Sequence, residues 1–213
     1  MSIRKPTFSA VLTGDIVNST KLLPSQESWL LEVLDKFLEP HPHEFYRGDS
    51  FQAYIKEPSE ALELALACRA VTIEITTKGE ASVRGDIRIG VGIGEVALPV
   101  SSLGSAKGEA FFLSGRELDE LQKTERRLAI TCSDKIASVG FEIMADYLDS
   151  IFLDMSGKQA DVIVSLLRGL TQQQLAISSK KAKSTISELA NAGRWPEIER
   201  ILQQYSQLIE LIS

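Results

Sequence analysis

The stretch FSAVLTGDIVNST, residues 8–20, decides the fold. Apolar side chains alternate in it at Phe8, Ala10 and Leu12, and a period of two predicts a β-strand. The apolar run ends at a glycine followed by Asp15. We therefore expect a first strand that finishes at a carboxylate.

The segments that follow alternate between helix and strand. Ser25 is the predicted N-cap of a helix that Pro40 stops. Two short apolar runs flank residues 47–50 and predict a β-hairpin with Asp49 at its tip. The remaining segments predict, in order, a helix opened by Pro58, a strand at 87–96, a helix at 110–122 and a strand at 128–131. This βαββαβ order predicts an α+β, ferredoxin-like fold with the first and third strands as antiparallel neighbours at the sheet centre.

That topology brings two carboxylates together. The end of the first strand and the turn of the hairpin lie at the same edge of the sheet, so we expect Asp15 and Asp49 to approach each other. Two close carboxylates repel unless a cation lies between them, and oxygen ligands on open loops suit Mg²⁺ or Mn²⁺ holding a nucleoside triphosphate. Taken singly, each aspartate is more often a structural turn residue, and this alternative stays open.

Composition and charge exclude several classes of protein. The chain has 213 residues, 44% of them hydrophobic, and a net charge of −6, which exclude a disordered chain and a coat on nucleic acid. It has no apolar run of about 18 residues and no apolar signal segment, so we expect a cytoplasmic protein with no membrane partner. Cys68 and Cys132 lack CxxC spacing and are predicted to be buried thiols. The acidity belongs to residues 1–170, because residues 171–213 hold five basic and four acidic side chains.

Three glycines alternate in the predicted strand at 87–96. Gly90, Gly92 and Gly94 point to one face and leave a groove without side chains. Such a groove indicates close approach by a helix, a partner subunit or a ligand, and helix packing is the favoured interpretation. The spacing is wrong for a nucleotide-binding fingerprint, which lies at a turn from strand to helix.

Three segments in this order resemble motifs of class III adenylate and guanylate cyclase catalytic domains. They are TGDIVNST at 13–20, GDSFQA at 48–53 and RIGVGIGEV at 88–96. The resemblance covers about residues 8–131 and implies the fold of that family.

The resemblance also implies roles for individual residues. In that family two aspartates bind two divalent metals, which implies Asp15 and Asp49 as metal ligands. The backbone carbonyl of Ile16 would assist, and Gly48 in the hairpin motif would belong to the ligand-binding residues. A further segment, 107–116, is similar to a family helix and implies a phosphate-stabilising role for Arg116.

Other positions depart from the family's pattern. Phe112 stands where the family has a catalytic asparagine, and Phe45 and Ser105 stand at the two base-selecting positions. Losing one preorganised donor costs about 3 kcal/mol of transition-state stabilisation. The pattern therefore favours binding of a metal nucleotide or other phosphorylated ligand without cyclisation. An active nucleotidyl cyclase or nucleotidyltransferase, with Arg116 on the phosphates, is the alternative.

Residues 171–213 are predicted to be helical. The segments LTQQQLA at 170–176 and STISEL at 184–189 resemble the helix-turn-helix of bacterial transcription regulators. The resemblance implies double-stranded DNA as a partner, with phosphate contacts and a major-groove face on the second helix. The phosphate contacts would come from Lys180, Lys181 and Lys183, and the groove face from Ser184, Thr185 and Ser187. A helical cap that packs on the body or on a dimer partner is the alternative.

The combination of these segments is similar to the SatD family of small bacterial proteins. The motifs that carry this resemblance are TGDIVNS at 13–19 and the tail from LTQQQLA through AGRWPEI at 192–198. We expect a cyclase-like domain at 1–150 and a helix-turn-helix domain at 156–213. The leading hypothesis is a homodimeric DNA-binding regulator whose cyclase-like domain binds a ligand. The apolar stripe of the last helix is either core or a dimer seam.

Overall fold

A five-stranded sheet forms the centre of the computed structural model, which describes residues 7–46, 48–77, 84–98, 100 and 102–213. The strands stand in the order β2-β3-β1-β4-β5, with β5 parallel to β4 and the other neighbours antiparallel. They are β1 (Thr7–Val17), β2 (His43–Tyr46), β3 (Ser50–Ile55), β4 (Asp86–Val96) and β5 (Leu128–Cys132). The predicted α+β, ferredoxin-like order is confirmed, since β1 pairs antiparallel with β3 at the centre of the sheet.

Eight α-helices lie within the described residues. The first three connect the strands, and the last five follow β5. They are α1 (Pro24–Leu38), α2 (Ala61–Thr76), α3 (Glu109–Leu121), α4 (Lys135–Leu153), α5 (Gly157–Leu167), α6 (Gln172–Ser179), α7 (Lys183–Ala192) and α8 (Trp195–Ile212). Every helix in this part of the chain is too short or too polar to cross a lipid bilayer.

The first strand is longer than the sequence predicts. β1 continues past Asp15, because Ile16 and Val17 still pair with β4. The prediction that the strand finishes at Asp15 is therefore wrong. Asp15 lies inside the strand, directly opposite Arg88 of β4.

The glycines of β4 receive a helix. A Cβ atom on Gly92 would lie 2.3 Å from the carbonyl oxygen of Ala110, and one on Gly90 would lie 2.4 Å from that of Ser114. Both carbonyls belong to α3, so this helix packs directly on the backbone of β4. Of the three interpretations of the glycine groove, close approach by a helix is confirmed.

A buried ion triad ties α2, β4 and α4 together. Arg69 is fully buried, and its Nε and Nη2 donate to the two carboxylate oxygens of Asp86 at 3.0 and 2.8 Å. Its Nη1 lies 2.9 Å from Oδ1 of Asp149, a carboxylate whose other oxygen accepts the Arg127 backbone N–H. Burial lowers the pKa of Arg69, but the two carboxylates outweigh burial and raise this pKa, so the guanidinium stays charged.

The helices after β5 share one core with the sheet. α5 packs on α2 and α8 packs on α4, and one connected cluster of buried apolar side chains runs through all of them. The Tyr205 hydroxyl of α8 donates to the carbonyl of Pro58, just before α2, at 2.8 Å. α4 itself crosses residue 150. The division into domains at 1–150 and 156–213 stays a prediction, and the hydrophobic core is continuous across it.

The cysteine prediction is confirmed. Cys68 and Cys132 are both free and buried. Burial raises the pKa of the Cys68 thiol to about 12, so this thiol stays protonated near neutral pH.

Candidate functional site

The two aspartates singled out by the sequence lie side by side in the backbone. Asp15 is paired with Ser50 across β1 and β3, and Asp49 precedes Ser50 directly. The N–H of Ile16 donates to the carbonyl of Asp49 at 3.0 Å. Gly48, with φ of +87°, takes the left-handed conformation that the turn before Asp49 requires. The structure thus joins Asp15, Ile16, Gly48 and Asp49 at one end of the sheet.

The carboxylate of Asp15 is held by two donors of the chain. Nη1 of Arg88 lies 3.4 Å from each of its oxygens, and Nε2 of Gln122 donates to Oδ2 at 3.0 Å. The Asp15 side chain is only 14% exposed and that of Arg88 is 21% exposed. Arg88 therefore places a positive charge beside the carboxylate of Asp15.

The carboxylate of Asp49 has partners of its own. Ser19 Oγ donates to Oδ2 at 2.8 Å, and Ser50 Oγ donates to Oδ1 at 3.3 Å. Among the described residues, no group of three or more His, Cys, Asp or Glu side chains is placed to hold a metal ion. Mg²⁺ and Mn²⁺ need several oxygen ligands around one point. Asp15 and Asp49 are two carboxylates, fewer than such a group contains, and the metal stays a prediction.

Arg116 lies on α3. Its guanidinium pairs with Glu117 at 3.2 Å and sits 5.9 Å from the ring centre of Phe112. It lines a cavity of about 260 Å³ between α3, β5 and α4, together with Arg126 and Ser138. Within the described residues it makes no ion pair with either aspartate. The Arg116 guanidinium thus contacts side chains of its own helix, and its role at a phosphate stays a prediction.

The residues predicted to bind DNA lie where the end of α6 connects to the start of α7. α6 and α7 are joined by residues 180–182, and Lys180 adopts a left-handed conformation with φ of 55°. The N–H of Lys181 returns to the carbonyl of Ala176 at 3.1 Å, which closes the turn. Ala176 and Ile186 are buried where the two helices pack together.

The start of α7 faces outward. Lys183, Ser184 and Thr185 are exposed, as are Lys180 and Lys181, whereas Ser187 is half-buried. The N-cap residue Ala182 has no side chain that can accept from the helix, so the first N–H groups of α7 have no side-chain cap. Nζ of Lys181 pairs with Asp161 of α5 at 3.3 Å, with both side chains about 40% exposed.

Comparisons with known proteins give matches among solved structures. Two of these are bacterial light-regulated adenylyl cyclases. The first shares 16% sequence identity with this chain at a TM-score of 0.46. The match covers 60% of this chain and 43% of that cyclase chain. The other shares 14% identity at a TM-score of 0.47, with 60% and 77% covered. The chain thus spans less than half the length of the first. No family model matches the chain, and no curated protein sequence matches it.

The partners of Asp15 and Lys181 are not predictable from the sequence. Arg88 was visible as part of a motif, but its role depends on the β1–β4 register that places it opposite Asp15. Gln122 approaches Asp15 only because α3 crosses β4 on its glycines. Asp161 meets Lys181 through the packing of α5 beside α7. None of these pairings has a local sequence signal.

Proposed function

We propose that the protein is a homodimeric transcription regulator that binds double-stranded DNA through α6 and α7. The observation that carries this proposal is the three-residue turn with left-handed Lys180 between α6 and α7, together with the exposed first residues of α7. A short turn of this kind is what a DNA-reading helix pair needs, because the second helix must project into the major groove.

The exposed start of α7 supports contacts to the DNA backbone. Helix N–H groups without a side-chain cap attract anions, and a phosphate group is the anion that DNA presents. Lys180 and Lys183 flank these N–H groups with no ion pair among the described residues. Together they form a small positive surface on a protein whose net charge is negative.

The same face carries short polar side chains that suit base contacts. Ser184 and Thr185 are exposed on the first turn of α7, and Ser187 lies half-buried on the next. Hydroxyl groups donate to or accept from base edges, and the threonine methyl packs on thymine methyl groups. Lys181 is already paired with Asp161, so a phosphate gains less from Lys181 than from its two neighbours.

The alternative function, a nucleotidyl cyclase or nucleotidyltransferase, is less well supported. It needs Asp15 to exchange Arg88 and Gln122 for a metal, and it needs Arg116 at the same place. We expect no cyclic product from ATP or GTP with Mn²⁺. A product that disappears in Asp15→Ala would replace the regulator proposal by the enzymatic one.

A nucleotide or other phosphorylated ligand bound without turnover stays a prediction. A rise in the midpoint of thermal unfolding with nucleotide and Mg²⁺ would reveal it.

The DNA proposal is tested with a pool of random-sequence duplexes. Duplexes enriched on the full chain are titrated by fluorescence anisotropy at several salt concentrations. Lys180→Gly combined with Lys183→Ala removes two charges, and the glycine keeps the left-handed turn. We expect weaker binding and a salt slope smaller by about two ions. Lys36→Ala with Lys56→Ala, two exposed lysines outside the C-terminal helices, is the matched control and leaves the slope unchanged. Absence of salt-dependent enrichment of any duplex would overturn the proposal.

A further inference from the structure

An apolar stripe on α4 faces away from the core. Ile136, Val139 and Ile143 are 86%, 57% and 65% exposed, at helical spacing on one side of the helix. Leu211 near the end of α8 is 81% exposed. We call these four residues the α4–α8 patch. Single exposed apolar residues are common in proteins, but three in register on one helix are not.

The patch lies on two neighbouring helices. α4 and α8 run antiparallel, because the rings of Phe141 and Tyr205 lie 5.4 Å apart and Arg194, at the start of α8, contacts Tyr147 further along α4. Gly140 packs against Leu208, one turn before Leu211. The end of α8 therefore lies beside the start of α4, where Ile136 stands.

The apolar stripe of α8 is not available as a dimer seam. Ile198, Ile201, Tyr205 and Ile209 are all buried, with Ile198 and Tyr205 fully so. Of the two interpretations of this stripe, core is correct. A dimer interface must therefore lie elsewhere, and the α4–α8 patch is an apolar surface that the described residues leave uncovered.

We infer that a second copy of this chain covers the α4–α8 patch, with the two α4 helices antiparallel across a two-fold axis near Val139. This inference rests on the homodimer of the proposed function and adds the surface that forms it. A two-fold interface uses the same patch on both copies, so the patch must complement itself. The apolar residues satisfy this condition because Ile136 and Ile143 lie on either side of Val139.

Charge complementarity supports the same arrangement. Lys135 and Glu142 are exposed on one flank of the stripe, seven residues apart, and neither has an ion pair among the described residues. In an antiparallel pair of α4 helices, Lys135 of one copy lies beside Glu142 of the other, and the pair occurs twice. Opposite charges beside an apolar seam select the partner and its orientation.

The size of the patch is sufficient when its polar margin is included. The four apolar side chains present on the order of 500 Å² per copy, and flanking residues such as Lys135 and Glu142 extend this toward the roughly 800 Å² per partner of a stable interface. An apolar core surrounded by a polar rim is the usual composition of such an interface.

The test measures the mass of the full chain by light scattering after size exclusion, over a range of concentrations. We expect a dimer for the wild type and a monomer for Val139→Glu. Ile177→Glu is the matched control, because Ile177 is 72% exposed on α6 outside the patch, and this variant stays a dimer. Circular dichroism checks that each variant is folded.

Charge reversal tests the orientation. We expect Lys135→Glu and Glu142→Lys each to raise the dimer dissociation constant by about threefold to tenfold, and the double variant to recover most of the loss. Even a weak dimer should form at about 100 µM. A wild type that stays monomeric at that concentration would overturn both this inference and the homodimer. A wild-type dimer that Val139→Glu leaves intact would overturn the α4–α8 patch alone. Neither result depends on DNA binding.

Discussion

Replacing Arg69 by methionine should destabilise the protein severely. Arg69 is fully buried, and the side chains of its partners Asp86 and Asp149 are 8% and 5% exposed. Methionine fills a similar volume but leaves two carboxylates without a counter-charge in the interior. Removing one partner of a buried ion network costs about 3–5 kcal/mol, because the charge left behind has lost both water and its partner.

The assay is equilibrium urea unfolding followed by far-ultraviolet circular dichroism. A loss of about 3–5 kcal/mol, divided by a slope of about 2 kcal/mol per molar urea, lowers the midpoint by roughly 2 M. A domain of ordinary stability, about 5–15 kcal/mol, would then be close to unfolding. Arg168→Met is the control, because Arg168 is exposed and its guanidinium lies 5.3 Å from the ring centre of Phe37, so it should cost less than about 1 kcal/mol.

Two further variants keep the prediction testable if Arg69→Met does not fold. Arg69→Lys retains the charge but loses the paired donors to Asp86, so it should fold with an intermediate midpoint. Arg69→Met with Asp86→Asn and Asp149→Asn removes all three charges and should recover a large part of the loss. A midpoint for Arg69→Met within about 0.5 M of the wild type would refute the reasoning.

Two other predictions concern packing and pH. Gly92→Ala should lower the unfolding free energy by about 1–3 kcal/mol, because its Cβ would push α3 off the sheet, and thermal unfolding measures the loss. Nε2 of His43 donates to Oδ1 of Asp35 at 3.0 Å. Burial lowers the pKa of His43. The hydrogen bonds to Asp35 and to the carbonyl of His41 raise this pKa by more than burial lowers it, so the net shift is upward. This pair therefore stabilises the fold below about pH 6.5 and loses its effect as the pH rises through the folded-state pKa. Urea unfolding of His43→Gln should differ from the wild type at about pH 5.5, by up to about 1 kcal/mol, and less at about pH 8.

Each of these has a matched control. Gly115→Ala lies on the outer side of α3, where an added Cβ meets no atom within 4 Å, so it should be neutral or stabilising by up to about 1 kcal/mol. An equal change in unfolding free energy for Gly92→Ala and Gly115→Ala would contradict the inference that Gly92 is needed for the close packing of α3. Lys36→Gln removes an exposed charge from the helix that carries Asp35 and should show no such pH dependence. An equal effect of His43→Gln at both pH values would contradict the ion pair.

The sheet could be predicted because its signals are local. Alternation from Phe8 to Leu12 and the turn at Gly48 mark strands and a hairpin, and the βαββαβ order then permits few topologies. α4 was left unassigned, although Asp134 caps it by accepting from the N–H groups of Ile136 and Ala137. Its buried residues, including Phe141, recur at helical spacing, so a search for the period would have found it.

The candidate sites were predicted only in part. The predicted topology placed Asp15 beside Asp49, because β1 and β3 are neighbours in a βαββαβ sheet. The donor that holds Asp15 comes from 73 residues away through strand register, and the buried triad joins three elements distant in sequence. Charged side chains give no sequence signal for burial, so Arg69 resembles any helix arginine until the fold is known.

The hydrophobic core that runs from the sheet through α8 has a consequence for how the molecule responds to its surroundings. Since α5 lies on α2 and Tyr205 is bonded to Pro58, the C-terminal helices cannot separate from the sheet without exposing apolar surface. The chain should therefore melt in a single cooperative transition. A ligand that binds α7 should therefore also stabilise the sheet. Because linkage is reciprocal, a ligand that stabilises the sheet should strengthen binding at α7 by the same coupling free energy.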